Sequence, residues 1–484
     1  MEFRQGIWKL CSLLFLFLAN ISDGKGQLLT DSLIASYSLA DIDSIYTANA
    51  LPPFVGAINY PVDVYKVTYE TPDPQGNMTY TSGAVFIPGN DTCSAPIISY
   101  QHGTISNRES VPSRMSGEAL IGVVAATGGY VVSMTDYLGL GDGPGFHPYI
   151  HAKSEATAVI DMIRTTKQLC TNEGVLVNTQ LFLMGYSQGG HATMATLREI
   201  ELYHASEFDV IAAIPMAGPY DVSGVQRAVL ESDSVYSQPG YLPYITTAYN
   251  SIYNIYDSIE EVFTPPYDSL IPALFDGTNS MGTINGFMPG VPKLIVDTAY
   301  FNAYDADSLH PFKMAMRDND VYDWIPQSYL RIVHCNGDQV IPFANAQVAY
   351  DAFIAMGADS VELIDAGSAD HVPCAQSAII GAKLYIDTRA EFCSFVFGEE
   401  ELSGSRLKIE AFPNPFNDVT TIKICGESRE MYELQIIDLT GKMVLVKNVM
   451  AGSQVNISKA ELSAGCYIAN LLGEESTGIK LLVQ

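Results

Sequence analysis

Residues 181–193 read LFLMGYSQGGHAT, and at their centre Gly185-Tyr186-Ser187-Gln188-Gly189 sets a serine between glycines two places away on either side. In a chain with 39 glycines the bare pentapeptide arises by chance about 0.2 times, so its context decides what it means. Leu181–Met184 is a short apolar run with the character of a buried strand, and from Gly190 to Ala205 the apolar residues recur at helical spacing. A strand, a tight turn and a helix in that order put a serine in a strained conformation, with its hydroxyl pushed out of the sheet edge. The same turn leaves no room for side chains two places away.

Outward from this point the same rhythm repeats. Two β-rich segments, 62–70 and 78–88, flank a Pro-Asp-Pro-Gln-Gly-Asn turn that suits a hairpin. Then short apolar runs at 95–100, 129–137, 181–185 and 209–216 alternate with helical stretches at 154–169 and 190–205. Strands that are apolar throughout and separated by helices are buried on both faces, which predicts an α/β doubly wound, mostly parallel sheet. From about 221 to 324 the rhythm is lost in a stretch rich in Tyr, Pro and Asn. It resumes with a strand at 329–338, a helix at 344–357, a strand at 361–367 and a helix at 375–392. The interruption is an insertion of about 100 residues into one sheet, of the kind that forms a cap or binding element.

The chain has 484 residues and a formal net charge of −29, which disfavours DNA, RNA and anionic lipid headgroups as partners. Arg4 and Lys9 precede an apolar run from Leu10 to about Ala19, too short to span a bilayer and suited to a signal peptide over 1–26. No other segment has the length of a membrane span. The seven cysteines beyond the leader form no CxxC pair, so there is no zinc signature. In an exported chain they predict disulfides, here Cys93–Cys170 and Cys374–Cys393. Residues 398–405, GEEELSGS, form an acidic, glycine-containing linker. The tail over 406–484 has eight basic against nine acidic residues, leaving nearly all the negative charge on the domain at 27–397. Its short strands and turns predict a small all-β sandwich.

A serine hydroxyl needs a base to take its proton and an acid to orient that base. His204 ends the elbow helix, His310 lies in the insertion and His334 falls inside a strand. His371, in the loop GSADHVP just after the last strand, is the candidate base. Asp338, in HCNGDQVIP directly after a strand, is the candidate acid, with Asp365 as runner-up and Asp370 too close to His371 to face it. The oxyanion formed on attack requires two backbone N–H donors. One is Gln188, after the serine. The other comes from the loop SYQHGT, where Gly103 or Thr104 donates, and His102 is either part of that motif or a plain loop residue. Tyr241, Tyr244, Phe275, Phe287 and Met288 in the insertion either line an apolar acyl or aromatic pocket or form the core of the cap.

Taken together, residues 60–395 resemble the α/β-hydrolase superfamily. More closely, SYQHGT, TDYLGLGDGPGFHPYIHAKSEA, GYSQGGHA and NGDQVIP are similar to the secretory lipase family and related bacterial esterases. That resemblance implies a cap over an acyl-binding cleft, a Ser187, Asp338 and His371 triad, and Asp136 and Tyr137 as supports of the site. The tail, with AFPNPFNDVTTIKI, YELQIIDLTGKMV and the NIS…AGCYI pattern, resembles the type A C-terminal sorting domain of the type IX (Por) secretion system. It implies export by that machinery to the medium or surface of a Gram-negative cell. The combined reading is a secreted serine carboxylic ester hydrolase, a lipase or esterase, acting on a small-molecule or lipid ester without metal or cofactor. A serine peptidase of the same fold, or a non-catalytic surface binding protein on a hydrolase scaffold, are the alternatives.

Overall fold

The computed structural model describes residues 26–52, 55–90, 93–392, 408–425, 431–438, 443–472 and 477–483. All but the last residue of the expected signal peptide, and the whole of the expected linker, lie outside them. The described chain divides into two compact units, one comprising Met1–Asp43 with Ile58–Cys393 and the other Ser44–Ala57 with Ser394–Gln484.

The first unit is organised on one sheet. Strand β1 (Leu28–Tyr37) pairs antiparallel with β2 (Val62–Pro72), which pairs with β3 (Met78–Pro88) in continuous register from Val62↔Pro88 to Pro72↔Met78. Asp73 closes this hairpin by accepting the N–H groups of Gln75 and Asn77 on one carboxylate oxygen, at 2.9 and 2.8 Å. Beyond it lie β4 (Ala95–Gln101), β5 (Val131–Thr135), β6 (Val177–Tyr186), β7 (Asp209–Met216), β8 (Tyr329–His334) and β9 (Val361–Asp365). The sheet order is β1-β2-β3-β5-β4-β6-β7-β8-β9, and every pair from β5 to β9 is parallel. The all-apolar segments predicted as doubly covered strands are these parallel ones. Strand β1 was not predicted, because LLTDSLIASY is exposed over most of its length and carries no alternation to read.

Helices α1 (Leu39–Ala48), α2 (Ala119–Thr127), α3 (Ala152–Asn172) and α4 (Gln188–Glu199) come before β7, and α11 (Ala344–Ala355) and α12 (His371–Asp387) follow β8 and β9. Between β7 and β8 the insertion folds into α5 (Arg227–Glu231), α6 (Tyr241–Tyr253), α7 (Tyr267–Leu274), α8 (Met281–Phe287), α9 (Thr298–Ala306) and α10 (Pro311–Asp318). This cap has its own core, in which Tyr244, Tyr249, Phe263, Ile271, Ile284 and Ile295 are buried. Each such side chain contributes about 1.5–3 kcal/mol on leaving water. Tyr244 and Tyr249 also donate their hydroxyls to the carbonyls of Ile105 and Ile150, at 2.8 and 2.9 Å. The cap is thereby fixed to loops at the carboxyl ends of the strands.

The second unit contains two antiparallel sheets. Strands β10 (Lys408–Phe412), β11 (Val419–Cys425) and β14 (Gln454–Ser458) form one, in the order β10-β11-β14. Strands β12 (Met431–Asp438), β13 (Met443–Met450), β15 (Gly465–Leu472) and β16 (Thr477–Val483) form the other, in the order β13-β12-β15-β16. Ile422, Ile424 and Ile457 from the first share one core with Leu434, Ile436, Leu471 and Leu481 from the second. This is the sandwich that the alternating strands predict.

Both predicted disulfides are wrong. Cys374 pairs with Cys335, with Cα atoms 6.2 Å apart. Cys170 is a buried free thiol that α3 turns into the core, where burial pushes its pKa up to about 12. Cys93 is disulfide-bonded, and its partner is not Cys170. Linear spacing gave no sign that the first turn of α12 lies against the chain leaving β8.

Candidate active site

The turn between β6 and α4 holds Ser187 at φ 61° and ψ −121°, a region that L-residues adopt only when their surroundings enforce it. The flanking glycines allow this. A Cβ on Gly189 would lie 1.9 Å from the Gln101 carbonyl oxygen, and one on Gly185 2.4 Å from that of Gly189. Any side chain at either position would force β4 and α4 apart.

Ser187 Oγ lies 2.9 Å from His371 Nε2, and His371 Nδ1 lies 2.6 Å from Asp338 Oδ2. All three residues are buried. His371 is the first residue of α12 instead of a loop residue, and its N–H donates to Asp370, the helix cap, at 2.8 Å. Asp370 also accepts from the Gln339 N–H at 2.9 Å and so faces away from the imidazole. Asp365 spends its carboxylate on Asn336 and Gly367. The other oxygen of Asp338 accepts the N–H groups of Val340 and Ile341, at 2.9 and 2.8 Å. Burial alone would raise the Asp338 pKa, but hydrogen bonds from His334 and His371, the charge of His371 and the Ile341 N–H together lower it to about 2.

The loops bearing the acid and the base are tied together. A Cβ on Gly337 would meet the Ser368 carbonyl oxygen at 2.1 Å, so only glycine lets the two loops touch. The Cys335–Cys374 disulfide joins the residue after β8 to the first turn of α12. Tyr186 donates its hydroxyl to the His371 carbonyl at 2.5 Å. His334, set aside in the sequence because it lies in a strand, ends β8 with Nε2 at 3.3 Å from Asp338 Oδ2 and 2.8 Å from the Ile341 carbonyl oxygen.

The loop after β4 runs beside the serine, since a Cβ on Gly103 would be 3.7 Å from Ser187 Cβ. The Gly103 N–H, one of the two expected donors, is already engaged by Glu118 Oε1 at 3.0 Å. The N–H groups of Thr104 and Gln188 meet no acceptor among the described residues. His102 is buried with Nδ1 on the Gly103 carbonyl at 2.7 Å and Nε2 at 3.4 Å from the Asp136 carbonyl. Asp136 accepts from Ser113 N–H and the Ser82 hydroxyl. Burial raises its pKa, partly offset by those bonds and by His102. Tyr137, at φ 64°, packs its ring 4.5 Å from that of His102 and 5.7 Å from that of His147. Both residues therefore lie against the loop that carries His102.

A second polar cluster lies on the other side of the elbow, and sequence reading missed it. His191 places Nδ1 on Glu155 Oε2 at 2.6 Å and Nε2 on the Asn319 carbonyl at 2.9 Å. The Gln188 side chain donates to Glu155 Oε1 at 2.9 Å and to His147 Nε2 at 2.8 Å. The available signal was Glu155 on an otherwise apolar face of α3, a buried charge that demands a partner.

Of the expected cap residues, Tyr241 and Tyr244 pack on Tyr149, and Phe275 packs on Tyr244. Tyr149 stacks on Tyr244 at 4.3 Å, and its hydroxyl lies 3.1 Å from Thr104 Oγ1. Met288 is buried in the same cap core. Phe287 is 53% exposed and does not join them. Among the described residues no group of His, Cys, Asp and Glu is arranged to hold a metal ion, and no helix is long and apolar enough to cross a membrane.

The family model described as secretory lipase matches residues 113–391, and one described as a secretion system C-terminal sorting domain matches 410–484. Among solved structures, the ligand-bound rice cell wall degrading esterase LipA from Xanthomonas oryzae is 29% identical with a TM-score of 0.70, covering 76% of this chain and 100% of its own. Lipase A of Candida antarctica in its closed state shares the fold at 18% identity and a TM-score of 0.54, covering 74% of this chain and 83% of its own. No curated protein sequence matches the chain.

Proposed function

The chain belongs to the secretory lipase family of ester hydrolases, and on that premise we propose that it cleaves carboxylic esters through a serine acyl-enzyme. The observation that carries this reading is the unbroken line from Ser187 Oγ through both nitrogens of His371 to Asp338. His371 Nε2 takes the hydroxyl proton as Ser187 Oγ bonds to the ester carbonyl carbon. The protonated imidazole then gives that proton to the leaving alcohol, and a water attacking the acyl-enzyme repeats the exchange. Asp338, ionised down to about pH 2, holds the Nδ1–H tautomer and offsets the charge that His371 acquires.

The oxyanion of each tetrahedral intermediate is received by the Gln188 and Thr104 N–H groups. Thr104 is preferred to Gly103 because Glu118 already holds the Gly103 N–H. The aromatic group of Tyr149, Tyr241, Tyr244 and Phe275 next to Thr104 offers an apolar wall for the acyl or alcohol part. Residues 1–26 serve as a signal peptide, and the sorting domain directs the chain through the type IX machinery, so the enzyme acts outside the cell or at its surface. The match of residues 410–484 supports that route.

Hydrolysis of 4-nitrophenyl esters and labelling by a fluorophosphonate test the chemistry. Wild type is expected to turn over the esters and to be labelled at Ser187, and Ser187→Ala to lose about 10⁵-fold in kcat/KM and all labelling. Equal activity in the two proteins would sink the proposal. Faster cleavage of matched 4-nitroanilides than of esters would replace the ester assignment with a peptidase.

A further inference from the structure

The Gly103 glycine separates two side chains. A Cβ there would lie 3.0 Å from Glu118 Oε1 and 3.7 Å from Ser187 Cβ, so the glutamate and the serine flank the same residue of the oxyanion loop. Glu118 is the residue before α2, and its side chain does not cap that helix. Its carboxylate accepts the Gly103 N–H at 3.0 Å and the buried Tyr100 hydroxyl. No lysine, arginine or histidine pairs with it among the described residues. It is only half-buried. The result is a carboxylate held by two neutral donors, without a counter-ion, beside the point of attack.

We propose that Glu118 is a specificity residue that makes the site select neutral and cationic esters over anionic ones. The proposal rests on the reading of Ser187 as nucleophile. An unpaired charge beside a partly desolvated site acts on a charged substrate group through a medium far less polarisable than water. At a separation of some 7 Å and an effective dielectric constant between 20 and 40, it changes affinity by roughly tenfold or more. The −29 net charge of the chain repels anions from any direction and is screened within about 10 Å by salt, whereas Glu118 acts only on a group that has entered the site.

Glu118→Gln removes the charge while the amide oxygen still accepts from Gly103, and the Tyr100 hydroxyl, which donates to the carboxylate, turns to accept from the new NH₂. The experiment compares kcat/KM for 4-nitrophenyl hexanoate, mono-4-nitrophenyl adipate and 4-nitrophenyl 6-aminohexanoate, which differ only in charge at the far end of the acyl chain. The control variant is Asp359→Asn, exposed two residues before β9 and at the opposite edge of the sheet from the serine. In Glu118→Gln the adipate value relative to hexanoate is expected to rise about tenfold and the aminohexanoate value relative to hexanoate to fall by a similar factor. Asp359→Asn is expected to leave the spread unchanged.

An unchanged spread in Glu118→Gln, or an equal narrowing in Asp359→Asn, overturns the proposal. So does collapse of hexanoate turnover in a folded Glu118→Gln protein, which would make the residue a support of the loop. If the variant does not fold, the wild-type spread measured with and without about 0.5 M salt decides, and a spread that salt abolishes counts against the proposal, because it then comes from the screened net charge. If wild type cleaves none of the three esters and fluorophosphonate leaves Ser187 unlabelled, it is the hydrolase reading that has failed.

Discussion

On one side of the elbow Asp338 meets His371, and on the other Glu155 meets His191, each pair at 2.6 Å and each buried. Distance and burial do not tell them apart. The second nitrogen of each imidazole does. His371 Nε2 faces the Ser187 hydroxyl, a group with a proton to give. His191 Nε2 ends on the Asn319 carbonyl oxygen, which has none, inside the protein where α4 packs against the end of the cap. On the proposed mechanism the first arrangement moves a proton. The other is closed at both ends and fixes the position of Gln188, whose own side chain is bound to Glu155.

The comparison is most severely tested at Asp338. In Asp338→Asn the amide oxygen keeps the Val340 and Ile341 N–H groups, while its NH₂ faces His371 Nδ1 and favours the wrong tautomer. The expected loss is about 10⁴-fold in kcat with KM little changed. A loss below about tenfold would mean that the Ser187–His371–Asp338 line is not the working one.

Glu155→Gln is the matching change on the other side, and it is expected to act on stability. It removes the charge beside His191 and sets a donor against a donor. Breaking a buried pair from one side costs about 3–5 kcal/mol, measured as a drop in the urea midpoint at constant slope. Turnover per fluorophosphonate-titrated site is expected to stay within about tenfold of wild type. If instead Glu155→Gln kept its midpoint and lost turnover as Asp338→Asn does, the distinction between the two pairs would fail.

How much of this was legible in the sequence follows from how local each signal is. The elbow is a property of thirteen consecutive residues, and the strands around it are apolar on both faces, so the sheet and the place of Ser187 in it could be read directly. The proposed Asp338 and His371 could be named because each follows a strand that ends at the same edge. The Cys335–Cys374 bridge and the approach of Gly337 to Ser368 depend on how two loops meet in space, which no spacing records. Glu118, Glu155 and His334 were missed for a related reason. Each acts through a partner 15 to 36 residues away or sits in a strand where a histidine reads as packing. The mistaken placement of His371 in a loop has a local cause, since Asp370 begins α12 earlier than the apolar pattern suggests.

The smallest expected effect tests the locked side by pH. His147 donates Nδ1–H to the Leu138 carbonyl and accepts at Nε2 from Gln188, an arrangement that a second proton would disrupt. Burial, only partly offset by the Leu138 bond and by the charge of Glu155, lowers its pKa to about 4, and burial lowers that of His151 to about 4 as well. An unfolded histidine protonates near 6.5. As pH falls from about 6.5 toward 4 the unfolded chain therefore binds protons that the folded chain refuses, and stability present above that window is lost within it. Asp338 behaves differently, because its stabilising ionisation persists until pH falls below about 4 toward 2. Between pH 7.5 and 5 the wild type is expected to lose on the order of 4 kcal/mol through these two histidines, about 2 kcal/mol from each. His147→Gln, which can still donate to Leu138 and accept from Gln188, is expected to lose about 2 kcal/mol less over the same interval. Urea midpoints at the two pH values measure both. Parallel loss in wild type and variant would show that His147 takes up its proton in the folded state, and that the cluster beneath Gln188 is less tightly locked than its hydrogen bonds imply.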